Sequence, residues 1–351
     1  MKYNRSDIND FPSSECLPAC SVCVANYNGE DVISACLDSI KNQQFEYPVE
    51  IIVHDDASTD NSVRIISEKY PEVILMESPE NVGFCVSNNR MAAKAKGKYI
   101  LLFNNDACLF PDALSKLYHY AETKSEAMIL GLPQYDMETG ELIDRGSLFD
   151  LFLNPVPNKD ISVTDVGMVI GACIWLSKSL WDELGGFHEW FQSLAEDMYL
   201  CCLARLTGYN VRVLPDSGFK HWVGKSLGGG KIDAGKLVTS MKRRALSERN
   251  KSYVMLLCYP GPLAYLLIPL HFLLLTIEGL LLSVVKRDRH IWTDIYKSCL
   301  KALWTKRQDM VRLRRKIQAD RLISSRAFYS VHSIVPHKIT MLLKHGLPTV
   351  K

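Results

Sequence analysis

Between residues 19 and 106, short apolar runs alternate with segments of helical periodicity, and no other property constrains the fold of this chain as much. Residues 21–25, 49–54, 73–77 and 99–103 are rich in Val, Ile and aromatic side chains and read as strands. Residues 31–42, 60–69 and 84–94 carry apolar side chains at helical spacing. Strands linked by helices through short turns predict a mainly parallel sheet covered on both faces. Ligands of such sheets sit beyond the carboxyl ends of the strands, so the loops that follow each strand are where chemistry is expected.

The first of these loops is Asn26-Tyr27-Asn28-Gly29. A flat aromatic among amides can face a nucleobase there, although Asn and Gly also build ordinary turns. The second is Asp55-Asp56-Ala57-Ser58-Thr59-Asp60. Ser58 or Thr59 can cap the next helix and Asp60 suits its first turn, but capping leaves the adjacent carboxylates Asp55 and Asp56 unexplained. Their repulsion is tolerable where they accept hydrogen bonds from a base or ribose. The third loop is Asn81-Val82-Gly83, with Asn88 and Asn89 further along the helix. The fourth, Asn104-Asn105-Asp106, ends a buried strand. A carboxylate at that point is either a solvated strand end or a ligand for a divalent cation on a diphosphate, since Mg²⁺ shares oxygen ligands with substrate phosphates.

Four such loops in this order resemble the family 2 glycosyltransferases, and most of all their bacterial rhamnosyltransferase-like subgroup, which builds surface polysaccharides. The similarity covers about residues 19–250. It implies a GT-A fold: α/β, Rossmann-like, with helices on both faces of a mainly parallel sheet. It also implies a nucleotide-sugar donor (UDP-, dTDP- or GDP-linked) and a Mg²⁺ or Mn²⁺ cofactor. By the resemblance, Tyr27, Asp55 and Asn89 contact the donor nucleoside, with Asn26, Asp56, Asn81, Gly83, Asn104 and Asn105 in the same donor site, while Asp106 binds the metal. The family's metal motif is usually Asp-x-Asp, and Asn104 stands at its first position, offering a neutral oxygen with weaker attraction for a cation.

The second half matches the family's acceptor-side motifs in Gly171-Ala172-Cys173, in Gly185-Gly186-Phe187-His188-Glu189-Trp190, and in Glu196-Asp197 at a helix start. Transfer with inversion needs one carboxylate to take the acceptor's proton, and the resemblance assigns Asp197 to that task with Glu196 beside it. Two acids at a helix N-terminus also stabilise the helix without any catalytic role. Position 188 is His where the family usually has Asp, and His221 matches a histidine that can complete the metal site.

The chain divides into an N-terminal segment 1–18, a glycosyltransferase domain 19–235 and a basic, apolar helical region 236–351. Overall charge is nearly balanced, 41 basic against 39 acidic residues, which offers no general attraction for nucleic acid. The basic excess lies in the tail, where residues 286–326 hold 13 Lys or Arg against four Asp. Residues 236–251 read as a basic helix, 253–285 as an apolar stretch containing Pro269, His271 and Glu278, and 304–326 as a basic amphipathic helix. Positive residues flank both ends of the apolar stretch, which suits an in-plane or re-entrant segment at the cytoplasmic membrane face better than a crossing. A lipid-linked or oligosaccharide acceptor follows from that placement. The alternative is a buried helical hairpin in a soluble domain or a homodimer.

The N-terminus has no apolar signal segment, and eleven cysteines without regular spacing suit reduced thiols. The run Cys16-x-x-x-Cys20-x-x-Cys23 has cluster-like spacing, but Cys20 and Cys23 would point to opposite faces of a strand. Gly224-Lys225-Ser226 lacks a correctly spaced preceding glycine for a phosphate loop. Two other functions remain open at this level: a sugar nucleotidyltransferase, for which 26–31 lacks a basic Gly-rich loop, and a noncatalytic sugar-nucleotide-binding relative.

Overall fold

The computed structural model describes residues 17–351 apart from 125, 225–228 and 234. Most of the N-terminal segment, Cys16 of the cysteine run, and Lys225-Ser226 lie outside the described residues.

The first half alternates as expected: β1 (Cys20–Asn26), α1 (Ile33–Lys41), β2 (Val49–Asp55), α2 (Ser62–Lys69), β3 (Ile74–Glu77), α3 (Phe84–Lys94) and β4 (Tyr99–Asn104). A short β5 (Ala107–Leu109), α4 (Ala113–Thr123) and β6 (Met128–Gly131) follow. The region 136–163 is built of short strands, from β7 (Gln134–Asp136) through β8 (Leu142–Asp144) and β9 (Ser147–Asp150) to β10 (Pro155–Pro157). Then come β11 (Cys173–Ser177), α5 (Lys178–Leu184), α6 (Glu196–Leu206), β12 (Asn210–Val213) and β13 (Phe219–His221). Residues 166–172, though apolar, lead into β11 without joining it.

The seven-stranded sheet has the order β12-β6-β11-β4-β1-β2-β3. Its pairings are parallel except at β11, which runs antiparallel to both β4 and β6. The period-two pattern sorts side chains to two cores. Val22, Val53 and Leu101 face α1, α2 and α4 on one side, while Cys23, Ile52 and Leu102 face α3, α6 and the C-terminal helices on the other. The second core is continuous from the sheet to Tyr253, Tyr296 and Phe328, so the helical region packs on the α/β layer as one body. The ten described cysteines are free thiols, all but Cys108 buried, and burial pushes the Cys20 thiol up to about 12.

Beyond Gly230 the structure corrects three expectations. Residues 236–239 form a strand, β15 (Lys236–Thr239), paired with β14 (Gly229–Asp233), and the basic helix starts later as α7 (Met241–Cys258). The apolar stretch is two elements, because α7 ends at Cys258 and a turn at Pro260-Gly261-Pro262 precedes α8 (Ala264–Lys286). The span 304–326 is not one helix but α9 (Ser298–Thr305), α10 (Arg307–Ala319) and the short α11 (Ser325–Phe328), with α12 (His337–His345) near the end.

The polar residues within α8 turn inward. Glu278 pairs with Arg244 at 2.6 Å and Lys338 at 2.7 Å, and His271 Nε2 lies 2.8 Å from Ser252 Oγ. The opposite face carries Leu266, Leu273 and Leu280 into solvent, and only 22% of the helix's most apolar window is buried. Helix α8 is the one described helix long and apolar enough to cross a membrane, but it lies against the body of the protein.

Candidate active site

The carboxyl ends of the central strands open on a cavity of about 1950 Å³. Its wall includes Asn26, Tyr27, Asp56, Asn81 and Gly83 from the first three loops and Asn104, Asn105 and Asp106 from the fourth. Gly171, Ala172, Glu196, Asp197 and His221 from the second half line the same space. Residues up to 195 positions apart thus meet, the four loops because their parallel strands end on one edge, and the rest because antiparallel β11 begins there and α6 and β13 pack beside it.

The loops hold one another. Buried Asn26 donates from Nδ2 to Asp55 Oδ1 at 2.8 Å, and its Oδ1 accepts from Asn105 Nδ2 at 2.8 Å. Gly29 has to lack a side chain, since a Cβ there would stand 2.2 Å from Asn26 Oδ1 and 2.5 Å from Asn105 Nδ2. Asp56 accepts from the backbone N–H groups of Val82 and Gly83 at 2.7 and 2.9 Å, shaping the third loop. This leaves the Tyr27 ring 52% exposed at the mouth of the cavity, free to stack on a planar ligand.

In the next corner His221 Nε2 lies 3.1 Å from Asp106 Oδ1 and 3.5 Å from Asn104 Nδ2. Gln134 Nε2 lies 2.9 Å from His221 Nδ1, so the ring is oriented from behind. Asn104 Oδ1 is buried without a hydrogen-bond partner. No group of three His, Cys, Asp or Glu side chains suited to a metal occurs among the described residues. One carboxylate, one imidazole and one amide oxygen nevertheless fit a Mg²⁺ or Mn²⁺ ion that takes its remaining ligands from a diphosphate.

Across the cavity stand Glu196 and Asp197, 5% and 9% exposed at the start of α6. Asp197 accepts from Gly171 N at 2.8 Å and Met198 N at 2.7 Å. Glu196 Oε2 is buried without a partner. Burial raises both carboxyls above the usual range. For Glu196 the adjacent Asp197 charge adds to the rise, whereas backbone N–H groups oppose it for Asp197. Arg243, facing both, opposes the rise in each, and the two backbone N–H groups make Asp197 the better placed of the pair to ionise.

Three expected contacts lie off the cavity wall. Asp55 is 2% exposed behind it, occupied by Asn26 and Ser58. Asn89, expected on the nucleoside, instead exchanges two hydrogen bonds with the Phe187 backbone, at 2.8 and 3.0 Å, and ties α3 to the Gly185-Gly186 turn. Trp190, expected on the acceptor side, packs against His188 and Tyr253 with Lys306 Nζ 4.6 Å from its ring centroid. All three position the loops from outside.

Residues that sequence reasoning missed come from α7. The loop before Glu196 has positive φ at Gln192 (61°), Leu194 (71°) and Ala195 (63°), conformations that cost of order 1–3 kcal/mol each for non-glycine residues. Fully buried Asn250 holds it, with Nδ2 within 2.7–2.9 Å of the carbonyls of Phe191, Ser193 and Leu194. Arg243 lines the cavity facing both carboxylates. In the sequence these were a helix amide and one base in a basic run, with no signal to set them apart.

Residues 21–185 match the family model described as Glycosyl transferase family 2. The poly(ribitol-phosphate) beta-glucosyltransferase of Bacillus spizizenii is 29% identical over 208 residues, 58% of this chain and 32% of that protein. The putative glycosyltransferase EpsH of Bacillus subtilis is 30% identical over 129 residues, 36% of this chain and 37% of its own length. The aligned segments thus span about a third of these relatives. Among solved structures, S. aureus TarS 1-349 in complex with UDP-GlcNAc superposes with a TM-score of 0.55 at 18% identity, covering 89% of this chain and 90% of that one. The mannosyltransferase PcManGT from Pyrobaculum calidifontis, in complex with GDP-Man and Mn²⁺, superposes with a TM-score of 0.51 at 17% identity over 90% and 89%. The α/β layer has the GT-A fold, and the segment carrying its four strand-end loops matches the family 2 glycosyltransferases.

Proposed function

We propose that this chain is an inverting, metal-dependent family 2 glycosyltransferase. It moves a hexosyl group from a nucleotide sugar to a saccharide acceptor, carried on a lipid, during surface polysaccharide synthesis at the cytoplasmic membrane face. The observation that carries the reading is the single cavity uniting the four strand-end loops with the Glu196–Asp197 pair. Residues 19–235 form the catalytic unit on this reading, and 236–351 is an extension that completes its cavity and meets the membrane through α8.

Tyr27 stacks on the donor base while Asn26 and Asp56 hold the loops around it. Asp106, His221 and Asn104 would hold a divalent ion, which when bound would offset charge building on the departing diphosphate. Asp197 takes the proton of an acceptor hydroxyl as its oxygen bonds to the anomeric carbon. The bond from that carbon to the diphosphate oxygen breaks, and its electron pair leaves with the nucleoside diphosphate. One displacement from the opposite side inverts the anomeric configuration. UDP-GlcNAc in TarS and GDP-Man with Mn²⁺ in PcManGT support a sugar nucleotide and a divalent ion for this fold.

The test is a thermal-shift screen of UDP-, dTDP- and GDP-sugars, dTDP-rhamnose among them, with and without Mg²⁺ or Mn²⁺. One donor should stabilise the protein only with metal, by roughly 2.7 kcal/mol at a hundredfold excess over its Kd. Indifference to every donor in both metals overturns the proposal.

A further inference from the structure

The cavity does not end at Glu196 and Asp197. It continues between α7, α8 and α12, and the chemistry of its wall changes along the way. Next to the carboxylates is Arg243, a partly exposed guanidinium that makes no hydrogen bond or ion pair among the described residues. Beyond it Arg244, Lys251 and Lys338 share two carboxylates among the described residues, Glu248 and Glu278, at 2.6–2.8 Å. Arg243 itself faces Asp197 and Glu196, and the belt beyond it holds three cations against two anions, a surplus of one that suits one more anionic group.

Around the Glu278–Lys338 pair the wall is otherwise apolar. Leu274, Ile277, Leu281 and Val285 of α8 face Ile339 and Leu342 of α12 across a trough. Leu281 and Ile339 are 59% and 53% exposed although both line the cavity, so the trough is open and not part of the packed core. From Leu274 to Val285 the helix runs about 16 Å, the reach of a medium hydrocarbon chain. These residues differ from the outer stripe of Tyr265, Leu266, Leu273 and Leu280, which does not line the cavity. A bilayer against α8 would cover the outer stripe and leave the trough to a single chain.

We propose that the cavity seats an amphipathic acceptor in which a phosphate joins the saccharide to one hydrocarbon chain. The saccharide lies at Asp197, the phosphate at Arg243 and the cationic belt, and the chain in the trough between α8 and α12. The proposal rests on the transferase reading above and names the acceptor's class. Its support is the union of the trough and the reaction site in one cavity, with one cation more than the belt's carboxylates neutralise.

The test is photocrosslinking of the full chain with a diazirine-bearing undecyl phosphate, mapped by peptide mass spectrometry. Label is expected on peptides from 274–285 and 337–342, competed by undecyl phosphate but not by inorganic phosphate. Leu281→Asp with Ile339→Asp, both at exposed positions, should cut it at least about tenfold by setting charge against the chain. Arg243→Gln should weaken competition by undecyl phosphate and leave that by undecanol unchanged. Label confined to the outer stripe, or unaffected by competitor and by the trough variants, overturns the proposal. Undecanol competing as well as undecyl phosphate against the unsubstituted chain removes the phosphate seat. Donor binding, read by thermal shift on the same preparations, tests the transferase reading separately, since a chain that binds donor yet escapes the label loses only the trough.

Discussion

The two carboxylates at the head of α6 should respond very differently to substitution. Both are almost fully buried side by side, which disfavours two charges there, while Arg243 facing them opposes that effect. Asp197 accepts from two backbone N–H groups while Glu196 Oε2 has no partner, which favours Asp197 as the carboxylate of the pair. Asp197→Asn keeps an oxygen to accept from Gly171 N, so the fold and donor binding should survive. It removes the base, and turnover should fall about 10²–10⁴-fold, roughly 3–5 kcal/mol in the barrier. Glu196→Gln keeps the size and shape of the side chain and leaves the base in place, so it should cost less than about tenfold. The assay is release of nucleoside diphosphate from the stabilising donor with acceptor membranes, beside donor affinity by calorimetry. Because the base works deprotonated and burial raises Asp197, the rate should climb with pH, with its midpoint above the ordinary value of 3.8. Full activity in Asp197→Asn, with loss in Glu196→Gln, would refute the division of roles.

Four further outcomes are expected. Asn250→Ala removes the amide that the Ser193 and Leu194 carbonyls of the strained loop accept from, and should lower stability by about 2–3 kcal/mol in urea melts, cutting turnover more than donor affinity. Glu278→Leu strands buried Arg244 and should cost about 2–3 kcal/mol, while adding Arg244→Met should recover much of it, read by thermal melts. Asp106→Asn, His221→Ala or chelation by EDTA should each remove the metal-dependent part of donor stabilisation in the thermal-shift screen. Vesicles of phosphatidylglycerol should sediment with the protein and vesicles of phosphatidylcholine much less, with a loss at high salt that reports the basic tail.

The four strand-end loops were legible in the sequence because each is a local signal. A period-two apolar run stops, a turn of Asn, Asp or Gly follows, and parallel topology carries all such turns to one edge. Asn26, Asp56 and Asp106 could therefore be placed together before any coordinates. Asn89 could not, because its partner Phe187 is 98 residues away and only packing of α3 against the second half decides that it ties a turn. The basic run 242–251 looked like a membrane flank, yet Arg243 and Asn250 turn toward the cavity and the strained loop while Arg244 turns toward Glu278.

The apolar segment near the end divides the two kinds of information most clearly. Sequence alone established that Glu278 and His271 sit in a stretch otherwise fit for a bilayer, and that such polar groups need partners. Hydropathy and charge are properties of each residue, readable wherever it lies in the chain. Which partners they find depends on α7 and α12 arriving beside α8, through contacts 34 and 60 residues apart for Glu278. Those contacts form only when the second core of the sheet closes, so the trough beside α8 exists in the tertiary structure and nowhere in the local pattern.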